Sequence, residues 1–276
     1  MDFLAAYPAP MLFIPIIVFG LIAGSFLNVV ILRWNTGMSI AKGRSACFSC
    51  GAPLRWYELI PVASFIIQRG ACRRCGAKIS WQYPLVEVSA AAAFAAAALR
   101  VPEAFSNPLS FASFVLVAAL LCFYIVIVAY DLRHKIIPDF FSYAAAFISL
   151  GLIGMEWAMT GNIDPYRAIA GLALFLFFWF FWKISKGRWM GLGDGKLALS
   201  IGWALGLSQG ISALLLSFWI GAAVSLAAMA FQRLSRKSAA LGMRSEIPFG
   251  PFLVIGFLIV FLWGIDAQAI LSHLAV

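Results

Sequence analysis

The chain has 276 residues, of which 63% are hydrophobic and only 11% charged, against about half apolar and a quarter charged in a soluble domain. One globular core cannot hide that much apolar surface, so a soluble domain is excluded and lipid is the expected solvent. The formal net charge of +9 would suit a nucleic-acid partner, but in a membrane protein a positive excess reports orientation. The placement of Lys and Arg decides for orientation, and no nucleic-acid partner is expected.

Residues 1–10 carry no basic side chain ahead of the first apolar run, which argues against a cleaved secretory signal. Met11–Leu32 follows with 22 uncharged residues. At about 1.5 Å per residue they can cross a hydrocarbon core of about 30 Å, so a permanent first helix is expected.

The polar insertion Arg33–Tyr83 comes next. It contains Cys47-Phe48-Ser49-Cys50 and, after a gap of 21 residues, Cys72-Arg73-Arg74-Cys75. Two C-x2-C knuckles can present four sulfurs tetrahedrally to Zn²⁺. Gly51 and Gly76 follow the knuckles, where a positive φ is easy for glycine. A site closed by four thiolates leaves no open position for water, so the reading is a structural metal clip that lets a small insertion fold. Cys122, inside a later apolar run, is expected to serve packing.

Further apolar stretches occupy Pro84–Leu99 (Ala-rich, with Glu87), Leu109–Tyr130, Phe140–Met155, Ala168–Trp182, Leu197–Ser208, Ile211–Phe231 and Ile247–Ile265. Counting all eight as spans makes the connections alternate sides. Arg33–Tyr83 then holds eight basic residues, Arg133 and Lys135 add two, and Lys183–Lys196 and Arg233–Arg244 add four each; the other side has only Arg100 and Arg167. This bias places the basic side in the cytosol and both termini outside. The fold expected is an all-α polytopic membrane protein of about eight transmembrane helices with a zinc-ribbon-like cytosolic insertion. Its segments are a first helix (1–33), a tetracysteine domain (34–83) and a helical bundle (84–276). The sixth span, 12 residues before the turn-like Gln209-Gly210, rises only about 18 Å. It must draw on upstream residues or thin the membrane.

Two acids stand at the cytosolic boundary. Asp131 ends the third span, and Asp194 sits in Gly191-Leu192-Gly193-Asp194-Gly195-Lys196 just before the sixth. Carboxyls sharing a site hold one proton between them. One can then take a proton from water while the other donates to a peptide carbonyl. Gly191 and Gly193 would let a substrate backbone come close and permit unusual φ/ψ. Other readings stay open: Asp131 with Arg133 and Lys135 as a solvated helix end, and Asp194 paired with Lys196. Asp139, after Pro138, reads as a helix-start residue. Glu58 and Glu87 could serve structure or contact a basic peptide.

Taken in order, Gly24-Ser25-Phe26-Leu27-Asn28-Val29-Val30, the tetracysteine segment with Trp56-Tyr57-Glu58-Leu59-Ile60-Pro61, Tyr83-Pro84-Leu85-Val86-Glu87, Asp131-Leu132-Arg133-His134-Lys135-Ile136-Ile137-Pro138-Asp139, Gly191–Leu197 and Pro248-Phe249-Gly250-Pro251-Phe252 resemble the bacterial type IV prepilin peptidases, GxGD-type intramembrane aspartyl proteases. The resemblance runs over residues 24–252. It implies that Asp131 and Asp194 are the two catalytic aspartates. It also implies that the substrates are type IV prepilins or type II secretion pseudopilins, cut after a glycine that ends a short basic leader. Methylation of the new N-terminus, usually Phe, with S-adenosylmethionine is implied by resemblance alone, since no glycine-rich strand-to-helix fingerprint is present. Two other classes fit parts of the sequence: a proton or ion pathway would use membrane acids, and a zinc-stabilised assembly scaffold would use the cysteines.

Overall fold

The computed structural model describes residues 10–162, 164–234 and 248–266. The regular elements among these residues are helices, with no strand, and the chain divides into two compact units, residues 1–129 and 130–276.

The first unit contains α1 (Pro10–Arg33), a 3-10 turn (Trp56–Leu59), α2 (Ala63–Ile67), α3 (Gln82–Arg100) and most of α4 (Pro108–His134), whose last turn belongs to the second unit. Helices α1 and α3 pack along their length, and small residues explain why. A Cβ on Gly24 would stand 2.5 Å from the Cα of Glu87, and Ala90, Ala97 and Ala98 of α3 are fully buried. In lipid, where no hydrophobic force drives helices together, such close backbone approach supplies the packing. Phe94 of α3 meets Phe114 of α4 with ring centroids 6.3 Å apart.

The second unit adds α5 (Asp139–Thr160), α6 (Pro165–Ser185), α7 (Leu192–Leu205), α8 (Leu207–Leu234) and α9 (Gly250–Trp263). Helix α6 starts in a way its sequence dictates: Asp164 caps it by accepting from the Tyr166 N–H at 2.9 Å, and Pro165 occupies the first turn. Helix α7 packs on α5, α6, α8 and α9. Against α6 it touches backbone to backbone, since a Cβ on Gly202 would lie 2.7 Å from the Cα of Gly171.

Six described helices are long and apolar enough to cross a membrane: residues 12–33, 82–100, 108–134, 139–160, 165–185 and 207–231. Large side chains such as Phe147, Trp219 and Phe231 point outward from them, as a lipid solvent permits. The chain is a multi-pass membrane protein with somewhat fewer full spans than the eight expected. Helices α7 and α9 have 14 residues each and rise only about 21 Å.

Both short helices have local causes. Pro251 sits in the first turn of α9, where its missing N–H costs least and its fixed φ suits a helix start. Helix α7 stops at Gly206, whose φ of 84° and ψ of −179° break the helix before Leu207 restarts it. The expected break at Gln209-Gly210 is therefore displaced: Gly210 remains helical, its N–H bonded to the Gly206 carbonyl at 2.9 Å. As its shortness required, α7 draws on residues upstream, and Asp194 falls in its first turn. Residues 235–247, with most of the fourth basic cluster and the start of the last expected span, lie outside the described residues.

Candidate functional site

The last turn of α4 and the first turn of α7 each contribute one carboxylate. Asp131 is 3% exposed and Asp194 9%, and the two are near enough to interact electrostatically. Oδ2 of Asp131 accepts a hydrogen bond from the backbone N–H of Gly250 at 3.1 Å. Asp194 occupies the third position of α7, where its side chain faces back to the N–H of Gly191, the residue preceding the helix. Short acidic side chains at a helix start commonly take up such unpaired amides.

The competing pairings of these acids are not found. Among the described residues neither aspartate makes an ion pair. Arg133 and Lys135 are exposed while Asp131 is buried. Lys196 turns instead to Asp139, with Nζ 2.6 Å from Oδ1, and lies 5.1 Å over the ring of Tyr143. Asp139 is the first residue of α5, so this ion pair joins the starts of α5 and α7.

The glycines of the motif act differently from the expectation of unusual φ/ψ. Gly191 is extended, with φ of −76°, and Gly193 is helical. What Gly193 supplies is an absent side chain: a Cβ there would lie 3.0 Å from Cβ of Ile137. Ile137 also reaches Gly250, where a Cβ would stand 3.2 Å from its Cδ1 and 2.7 Å from Oδ2 of Asp131. One isoleucine thus wedges between the two glycines that flank the carboxylates. Lys135 has φ of 55°, and its turn brings residue 137 back towards the helix end.

The four cysteines form a separate cluster in the first unit. Their sulfurs all lie within 4.8 Å of one another, with Cys47 and Cys75 Sγ 3.9 Å apart. A tetrahedral site with Zn–S bonds of 2.3 Å needs sulfurs about 3.8 Å apart, so the donor set fits a four-thiolate metal ion. The two knuckles repeat one hydrogen-bond pattern: Cys47 N–H to Ala52 and Gly51 N–H to Cys47, then Cys72 N–H to Ala77 and Gly76 N–H to Cys72, each at 2.9 Å. Gly51 and Gly76 close them at φ of 69° and 71°. Backbone amides of Cys50 and Ser49 pull the Cys47 thiol down to about 6, so a thiolate, the ligating form, is ready near neutral pH. At Cys75 the Ala77 amide acts in the same direction, but desolvation and the neighbouring thiols outweigh it and push that thiol up to about 11.

Both ambiguous glutamates hold backbone. Glu58 accepts from the N–H of Arg55 at 2.8 Å, and Glu87, buried in α3, accepts from the N–H of Val62 at 2.7 Å. Two participants at the carboxylates had no chemical signal in the sequence, the Gly250 amide and Ile137. The segment around Gly250 was visible only as part of a family pattern, because a backbone N–H is not announced by a residue type.

Helical architecture, a buried carboxylate pair at helix ends and a four-sulfur cluster define a polytopic membrane protein with a metal-competent insertion. Comparison with known proteins supplies the family. Residues 18–101 match the bacterial peptidase A24 N-terminal domain, and residues 118–226 match the type IV leader peptidase family. The chain is 30% identical over 273 residues to a prepilin leader peptidase/N-methyltransferase of Xanthomonas campestris, covering 90% of each. It is 34% identical over 284 residues to one of Burkholderia pseudomallei (91% of this chain, 85% of the relative). It is 30% identical over 290 residues to one of Pseudomonas aeruginosa (96% and 94%). No solved structure matches at a significant level. The chain belongs to the type IV leader peptidase family. It is a multi-pass bacterial membrane peptidase of the kind that also carries methyltransferase activity.

Proposed function

We propose that the chain is an aspartyl endopeptidase in which Asp131 and Asp194 together hydrolyse a peptide bond at the cytosolic boundary of the inner membrane. The observation that carries this reading is the pair itself: two buried carboxyls at helix ends, in electrostatic reach of one another, with the Gly250 amide fixing one oxygen of Asp131. The pair holds one proton between its members. The ionised carboxyl takes a proton from a water that attacks the peptide carbonyl, while the protonated one donates to the carbonyl oxygen. Collapse of the tetrahedral intermediate breaks the C–N bond as the leaving amine takes a proton from the pair. No covalent enzyme intermediate is needed.

The names of the relatives support prepilins or pseudopilins as substrates. Cleavage would follow the glycine that ends a short basic leader, with the substrate's apolar helix in the bilayer. A glycine there lowers the cost of unwinding the helix by about 1 kcal/mol relative to alanine. The distribution of Lys and Arg supports cytosolic placement of the site and periplasmic termini. Residues 34–83, between the first helix and the bundle 84–276, would be held by Zn²⁺ on Cys47, Cys50, Cys72 and Cys75 in a structural role. The relatives' names support N-methylation of the new terminus with S-adenosylmethionine, and no residue is assigned to it.

Purified chain incubated with a prepilin, and compared with Asp131→Asn and Asp194→Asn, tests the reading by mass spectrometry of the product. Cleavage by wild type and by neither variant is expected, with a loss of at least about 10²-fold at each position. Cleavage that survives both substitutions makes the aspartates structural and removes the mechanism.

A further inference from the structure

The segment between α1 and α3 turns several large apolar side chains outward. Trp56 is 78% exposed, Trp81 69%, and Ile66 and Ile67 66% each, with Leu59 and Ile60 also exposed. Their position along the first unit gives this face its meaning. The Val62 N–H, between the 3-10 turn and α2, donates to Glu87 of α3. Glu87 lies five residues past Gln82, where α3 begins, which is about 7.5 Å along the helix axis. Val62 is therefore held level with the second turn of a membrane-length helix, where α3's own outward residues are Leu85 and Val88. Phe65 of α2 packs on Trp81 at the foot of α3, ring centroids 5.0 Å apart. Val62 itself adopts φ of 60° and ψ of −50°, a conformation a β-branched residue keeps only when its surroundings impose it.

Charge points the same way. Residues 34–83 carry seven basic side chains and one acid, Glu58, and that acid is engaged with the Arg55 amide. Arg55, Arg69, Arg73, Arg74 and Lys78 are exposed. Tryptophans beside a basic rim favour the headgroup region, where amphipathic rings sit and anionic lipid attracts Lys and Arg.

We propose that residues 56–67 together with Trp81 form an interfacial anchor that lies in the anionic headgroup layer of the bilayer crossed by α1 and α3. The anchor would fix the depth of the cysteine module against the membrane. It is independent of the peptidase reading, and its test has no enzymatic readout.

The full chain is reconstituted in phosphatidylcholine vesicles with or without phosphatidylglycerol, the lipids brominated in the upper acyl chain. Tryptophan emission of wild type is compared with Trp56→Phe and Trp81→Phe to isolate those two residues. The expected result is quenching of both by brominated lipid, protection from aqueous iodide, and stronger quenching with phosphatidylglycerol. A double variant, Ile66→Asp with Ile67→Asp, is expected to lose the bromine effect while the cobalt-loaded cysteine site keeps its thiolate charge-transfer band, which shows the module still folded. Free access of iodide without bromine quenching overturns the proposal. So does protection from both quenchers, which would mean that protein, such as a second copy, covers the face. Bromine quenching indifferent to phosphatidylglycerol overturns the anionic assignment.

Discussion

The backbone N–H of Gly250 donates to Oδ2 of Asp131 across 119 positions of sequence, so the start of α9 holds the carboxylate that ends α4. A Cβ there would require a shift of its neighbours. In Gly250→Ala the new Cβ would stand 2.7 Å from that oxygen and force the carboxyl or the helix start to move. Alanine suits the first turn of a helix, so the chain should still fold. Cleavage should fall about 10²-fold, the scale expected for a misplacement of about 1 Å at a reacting group. Initial rates on a prepilin, set beside circular dichroism of the variant, check this.

Ile137 offers a graded test of the same positioning. Its Cβ and Cγ1 face Gly193 while its Cδ1 faces both Gly193 and Gly250. Ile137→Val keeps the Cβ and Cγ1 contacts but removes Cδ1, and should cost about 0.5–1.5 kcal/mol of stability with a modest loss of rate. Ile137→Ala removes the wedge and should cost about 2–5 kcal/mol, with a larger loss of rate. Thermal unfolding in detergent and cleavage rates should rank the variants in that order. Equal activity in all three would mean the wedge does not position the carboxylates.

Glu87 separates charge from hydrogen bonding. Its carboxylate accepts from Val62 N–H, and the amide oxygen of Glu87→Gln can accept the same bond. The glutamine variant should keep α2 in place, whereas Glu87→Ala leaves a part-buried N–H without an acceptor at a cost of about 1–3 kcal/mol. Protease sensitivity of residues 56–70 should rise in the alanine variant only. A rise of the same size with glutamine would show that the negative charge itself is required.

Metal removal should loosen the cysteine module and leave the helical bundle folded. Chelation, or Cys72→Ser, is expected to expose residues 46–78 to proteolysis while most of the circular dichroism persists. Binding should also weaken on acidification. The Cys47 thiol lies lowered at about 6, so its thiolate is present above that pH and lost below it, and protons then compete with the metal. Cobalt titrations near pH 7.5 and below about pH 6 check the sign. Affinity that does not fall at the lower pH would count against thiolate ligation.

Much of this protein could be read from residue types alone, because hydrocarbon imposes simple demands. Uncharged runs announced α1, α4, α5, α6 and α8, since a charge in the bilayer costs too much to be incidental. The cysteine knuckles were legible because ligand spacing is local. The carboxylates were legible as candidates because acids are rare in such a chain. Helix ends were less so. Gly206 rather than Gly210 breaks the chain between α7 and α8, and which of two nearby glycines adopts a positive φ depends on what packs around each.

What the sequence determined by itself was membrane residence, the metal-competent thiol set and two acids as candidates, each a matter of composition or short spacing. Only the tertiary structure decided that Lys196 pairs with Asp139 and leaves Asp194 without an ion pair. It also decided that Glu87 is spent on the Val62 amide, and that Ile137 and the Gly250 amide hold the catalytic candidates in place. These relationships join residues 25 to 119 positions apart. They rest on backbone groups and missing side chains, which acquire a partner only when distant helices are packed at contact distance.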